Sequence, residues 1–200
     1  MSFRDELLGL GSRAEAAVVE VYRRYLDATI TREQAVELLA VLVQKYNLQA
    51  ATLADLSLSA TLMVETAAPV PVAMTTRATD LERLSKAAST VLVVAETSEV
   101  PEAIVARLAR AETFNAGQNA YTEGIATSKA TKGWIRGLSP GACQLCRWWW
   151  REGRVWPKDH PMPTHKGCTC SPIPVVREGI TSTGHTRRLA RDAATRGKAA

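Results

Sequence analysis

Residues 134–174 hold every cysteine and every tryptophan of this 200-residue chain. They read WIRGLSPGACQLCRWWWREGRVWPKDHPMPTHKGCTCSPIP. Cys143-x-x-Cys146 supplies two sulfurs from one tight turn. After eighteen intervening residues, His165-x-x-Cys168-x-Cys170 supplies three more donors. A CxxC alone is a weak signal, but followed within one short module by HxxCxC it points to a tetrahedral zinc site. Five groups then compete for four places. On an extended segment Cys168 and Cys170 share a face, so both can reach one metal and leave His165 behind it. Equally, His165 ligates and one cysteine stays a thiol; the sequence leaves both open. His160 lies in a proline-flanked loop with no spacing partner and is not assigned. A site closed by four protein ligands is structural rather than catalytic. It ties segments about twenty residues apart in a module too small to build a core of its own.

The run Trp148-Trp149-Trp150, Arg151-Glu152-Gly153-Arg154, Val155-Trp156 reads as a β-hairpin around a glycine-containing turn. Trp148 and Trp150 then share one face and Trp149 the other, one packing over the metal and one against the helices. The segment from Cys168 to Val176 reads as extended. No GxSxG, P-loop, HExxH or dinucleotide fingerprint occurs. The cysteines come in ligand pairs, with no Asn or Asp placed to orient a histidine, so the chain is not expected to be an enzyme.

Charge divides along the chain. Residues 1–126 carry 11 basic and 16 acidic side chains, residues 127–176 carry 8 and 2, and residues 177–200 carry 6 and 2. The rear is basic, which suits an acidic protein surface or nucleic acid. Arg147, Arg151, Arg154 and Lys158 in the cysteine module, with Arg187, Arg188 and Arg191 behind it, are the expected phosphate contacts. No apolar run is long enough to span a membrane. The start, MSFRDELLGLGSR, lacks the apolar core of a secretory signal, so folding in a reducing cytoplasm is expected, where such pairs bind metal.

The front of the chain is helical. Leu7, Leu8, Ala14, Ala17, Val18, Val21, Tyr22 and Tyr25 recur at spacings of three and four over residues 3–28. Gly9 and Gly11 predict a regular start only near Ser12. Thr31-Arg32-Glu33-Gln34 is a capping box opening a second helix, and residues 48–66 read as a third. Pro69 and Pro71 break the pattern. Thr79-Asp80-Leu81-Glu82 opens a further helix. Pro101 opens another, which runs to about Thr127 across Gly117 and Gly124. Residues 177–200 are expected as a mobile basic tail, helical over about 186–195 only against a partner. Glu112 and Glu123 are expected to be solvated or paired, and Arg110 and Asn115 to brace the basic module.

Three elements together resemble the Mu F-like (MuF) minor capsid, or head morphogenesis, proteins of tailed phages. These are Arg110-Ala111-Glu112-Thr113-Phe114-Asn115 on a long helix, Trp134 ahead of Cys143-x-x-Cys146, and Pro163-Thr164-His165-Lys166-Gly167-Cys168-Thr169-Cys170. The likeness covers residues 80–176. The chain has Lys166 and Thr169 where that family usually has Pro and Arg, and Ala-Glu-Thr where it commonly has Arg-Thr-Glu. The resemblance implies a virion protein that is made in the host cytoplasm, sits inside the head with the portal protein and other capsid proteins, and touches packaged DNA without sequence preference. The expected fold is mainly α with a small C-terminal β-hairpin zinc-knuckle module (α+β). The expected boundaries are a helical region over 1–66, a linker over 67–78, a MuF-like domain over 79–176 (helices 80–127, knuckle module 134–176) and the basic tail. The alternative is a zinc-ribbon nucleic-acid-binding protein; a thiol enzyme is less favoured.

Overall fold

A computed structural model describes residues 2–72, 80–165 and 167–176, and beyond them residues 184, 187, 188, 191, 192 and 194. The fold is mainly α with one small antiparallel sheet near the cysteines, as expected. Helix α1 spans Phe3–Leu26 and α2 spans Arg32–Thr66; α3 spans Leu81–Glu96 and α4 spans Pro101–Thr127. Strand β1 (Gly133–Gly137) precedes a short helix α5 (Gln144–Trp150), and strands β2 (Trp156–Pro157) and β3 (Ser171–Val175) follow. The contacts divide the chain into two compact units that interleave in sequence. The first takes Met1–Ala54 and Met74–Asn119 with the short segment Lys166–Cys168; the second takes Asp55–Ala73, Ala120–His165 and Thr169–Ala200. Each unit draws on both sides of the 67–78 segment.

Local chemistry explains the helix boundaries. Helix α1 starts at Phe3, not near Ser12: Ser2 and Asp5 form a reciprocal capping box that secures the first turn despite Gly9 and Gly11. The Thr31 box is present, with Gln34 N–H donating to Thr31 Oγ1 at 3.2 Å and Thr31 N–H donating to Gln34 Oε1 at 2.9 Å. Helix α2 then runs 35 residues without a break, so the expected second and third helices are one. Residues 32–66 contain neither glycine nor proline, and nothing interrupts the ladder until Ala67 turns left-handed at φ 50° ahead of Pro69 and Pro71. Thr79 of the other expected box lies outside the described residues. Asp80 is the N-cap of α3 without a side-chain cap bond; its carboxylate instead takes Arg83. Replacing Thr31 by alanine is expected to cost about 1 kcal/mol, read as a lower urea midpoint at unchanged slope.

In the first unit, Val18, Tyr22, Leu39, Val43, Leu84, Leu92 and Val105 pack into one core, and a smaller cluster joins Leu7, Leu10, Ala50 and Phe114. Gly117 does not interrupt α4: a Cβ there would lie 2.8 Å from Leu7 Cδ1, so its bare Cα lets α1 approach. Gly124 plays the same part in the second unit, against Leu58. Arg110 pairs with Glu15 of α1 at 3.2 Å, while Asn115 is exposed. Arg110 thus ties two helices of the first unit. Glu112 is paired, as one of the two readings had it, with the Arg83 guanidinium in a two-pronged contact of 2.9 and 2.6 Å.

The sheet of the second unit has the order β2-β1-β3. Trp134 pairs with Trp156 on one side and Pro174 on the other, and Arg136 pairs with Pro172. Two prolines fit β3 because it is an edge strand. Along β1, Trp134 and Arg136 share the buried face. The expected hairpin over 148–156 is not formed. The three consecutive tryptophans lie on or at the end of α5, and Arg151, Glu152 and Gly153 then all take positive φ (49°, 56° and 80°) to reverse the chain. A CxxC needs one helical turn to place residues i and i+3 on one face, and that turn continues into the tryptophans. The extended reading of 168–176 holds as β3.

Candidate metal centre

The Pro140–Gly141 turn delivers Cys143 as the N-cap residue of α5, in extended geometry (φ −67°, ψ 166°). Cys146 is then one turn on and fully buried, while Cys143 is exposed. The backbone N–H of Cys146 donates towards the Cys143 sulfur and, with smaller help from the Cys146 side chain and the Leu145 N–H, holds that thiol below its ordinary pKa; burial and the nearby charge of Cys170 oppose this. His165 closes the group. Its Nε2 is 3.2 Å from Cys143 Sγ and 3.1 Å from Cys146 Sγ. Bonds of about 2.3 Å to sulfur and about 2.0 Å to nitrogen place tetrahedral neighbours about 3.5 Å apart, so this trio needs only a small expansion to enclose a zinc-sized ion.

Donor atoms of Cys143, Cys146 and His165 lie within 4.8 Å of one another, and those of Cys146, Cys168 and Cys170 do likewise. Cys146 belongs to both groups. None of the four cysteines forms a disulfide. The Ser139 hydroxyl lies 3.6 Å from the Cys170 sulfur, and Gln118 Nε2–H donates to the Cys168 carbonyl at 3.1 Å. His160 stands apart from both groups. It stacks on Trp156 with centroids 4.6 Å apart, and its carbonyl accepts the Trp134 indole N–H at 2.9 Å.

The tryptophans divide in a way the hairpin reading did not foresee. Trp134 is fully buried, Trp149 leans on His165 at 6.1 Å, and Trp148 is 68% exposed. The Arg151 guanidinium lies 5.8 Å over Trp148, and that of Arg154 lies 4.7 Å over Trp156. Arg147 Nε–H donates to the Ala142 carbonyl at 3.1 Å, and Lys158 Nζ donates to the Ser128 carbonyl at 3.0 Å. These four expected phosphate contacts therefore also serve the fold. Arg187, Arg188 and Arg191 are helical and exposed; most of the expected tail lies outside the described residues.

Sequence reasoning missed Arg136. It is the one charged side chain fully buried among the described residues, at 1% exposure. Its Nη1 points at Cys146 Sγ across 3.9 Å, its Nη2 donates to the Pro163 carbonyl, and its guanidinium lies 5.2 Å over Trp149. The alternation of β1 is the signal that could have placed it, two residues beyond Trp134.

No helix among the described residues is long and apolar enough to cross a membrane. Neither the curated proteins nor the solved structures contain a match to the chain. A family model described as VG15 protein matches residues 3–191, which takes in the front helices as well as the cysteine module. The chain therefore belongs to the VG15 protein family, a phage and viral protein family.

Proposed function

We propose that this chain is a structural minor capsid protein of a tailed phage, of the MuF-like head morphogenesis type, acting at the portal inside the head and using a zinc knuckle to hold its C-terminal module in shape. The observation that carries the structural role is the convergence of Cys143, Cys146 and His165, with further thiols beside Cys146. Four protein ligands leave no open place for a substrate, so the role is architectural rather than catalytic. Membership of a phage and viral family supports the setting, and the residues quoted over 80–176 support the MuF-like type. Cys170 is the better fourth ligand, because it belongs to the same compact unit as Cys143, Cys146 and His165.

The test is co-expression with the portal protein of the same phage, followed by purification of assembled heads. The chain is expected to co-purify with the portal and to be present in heads in few copies, with one equivalent of zinc. A second reading, a nucleic-acid-binding zinc module, is favoured by exposed Trp148 with Arg151 across its ring, since an open indole beside cations suits base stacking. Binding to DNA of any sequence, with steep salt dependence and no portal association, would move the assignment to that reading.

A further inference from the structure

We infer that Arg136 is the built-in counter-charge of the metal centre, and that it fixes the ligand set as three thiolates and one histidine. The inference rests on the metal reading above and goes beyond it by deciding the charge of the site.

The argument starts from an imbalance. Arg136 is buried, and a guanidinium cannot shed its charge. Among the described residues no carboxylate pairs with it, and its Nε has no hydrogen-bond partner. The Pro163 carbonyl and the Trp149 ring face soften the charge without cancelling it. A buried charge persists only when an opposite one is near. The nearest source of negative charge is the Cys146 sulfur, 3.9 Å from Nη1. A free thiol is mostly neutral at pH 7, whereas a thiol that coordinates a divalent ion is deprotonated outright.

Counting then selects among the sets the five donors allow. Any four of the five donors include at least three cysteines, so the sets are four thiolates, or three thiolates with His165. Four thiolates leave the site one negative charge in excess of Arg136. Three thiolates and one imidazole carry a single negative charge, which Arg136 balances. That set includes His165, whose Nε2 is already within 3.2 Å of two sulfurs. Cys143, Cys146, His165 and Cys170 satisfy it, and Cys168 then lies outside the ligand set.

The experiment is a double-mutant cycle on zinc affinity in the full-length protein, measured by competition with a chelator of known affinity. Wild type is expected to hold one zinc. Arg136→Met is expected to weaken zinc binding about 10–100-fold, the usual cost of losing a partner that supports the ligands. Arg136→Lys keeps the charge and is expected to stay within a few-fold of wild type. Cys143→His makes the ligand set neutral and weakens binding in the Arg136 background. Combined with Arg136→Met it should cost clearly less than the product of the two single effects, because a neutral site no longer needs a cation.

Wild-type affinity in Arg136→Met, or single effects that simply multiply in the double variant, would overturn the counter-charge while leaving the metal site standing. So would Arg136→Lys as weak as Arg136→Met, since shape and not charge would then be what matters. A wild-type protein without zinc would instead overturn the metal reading itself, and this inference with it.

Discussion

Cys146→Ser should remove the metal and unfold residues 133–176, the largest effect expected of any single substitution in this chain. Cys146 is fully buried and belongs to both donor groups, so neither group can close without it. Structural zinc sites are worth about 10–16 kcal/mol in small metal-dependent modules, which exceeds the stability of most whole domains. The sheet it supports is slight: β2 has two residues, and β1 and β3 have five each. All five tryptophans lie between residues 134 and 156, so indole fluorescence reports on this module alone. A red-shifted spectrum with loss of zinc, and far-UV helicity largely kept, is the expected result. Cys168→Ser should keep zinc and the native spectrum, since Cys168 lies outside the inferred ligand set. Zinc retained in Cys146→Ser would refute the centre, and zinc lost in Cys168→Ser would replace Cys170 by Cys168 as the fourth ligand.

What was legible in the sequence was local. The Thr31 capping box, Pro101 at the start of α4 and the CxxC turn each depend on residues within four positions, and each is where its chemistry placed it. What was not legible depends on partners far along the chain. Strand β1 exists because residues 133–137 pair with 171–175, about forty positions on; no periodicity in five residues announces that. The tryptophan run has strand propensity, yet the helical turn that the cysteine pair demands overrides it. Arg136 reads as an ordinary surface cation until the alternation set by Trp134 turns it inward.

The same limit governs the helix segment Arg110–Asn115. Its residues belong to the packing of the first unit: Arg110 holds Glu15, Glu112 holds Arg83, and Phe114 fills the space between α1 and α4.

Phe114→Ala should cost about 3–5 kcal/mol, because the ring is 4% exposed and packs with Leu7, Leu10 and Ala50. Its fit is tightest against Gly11, where a Cβ would sit 2.9 Å from Phe114 Cε2. That contact explains a glycine inside α1. Gly11→Ala gains about 0.5–1 kcal/mol in helix propensity, but overpacking against a buried ring costs about 1–3 kcal/mol, so the single change should be neutral or destabilising. With Phe114 already alanine, the clash is gone and only the propensity gain remains. The double variant should therefore be more stable than Phe114→Ala alone, with a coupling of about 1–3 kcal/mol between the two sites. Urea unfolding followed by far-UV circular dichroism, with zinc present throughout, measures all four corners of the cycle. Strict additivity would show that the ring yields to the extra methyl without strain, and that Gly11 is there for another reason.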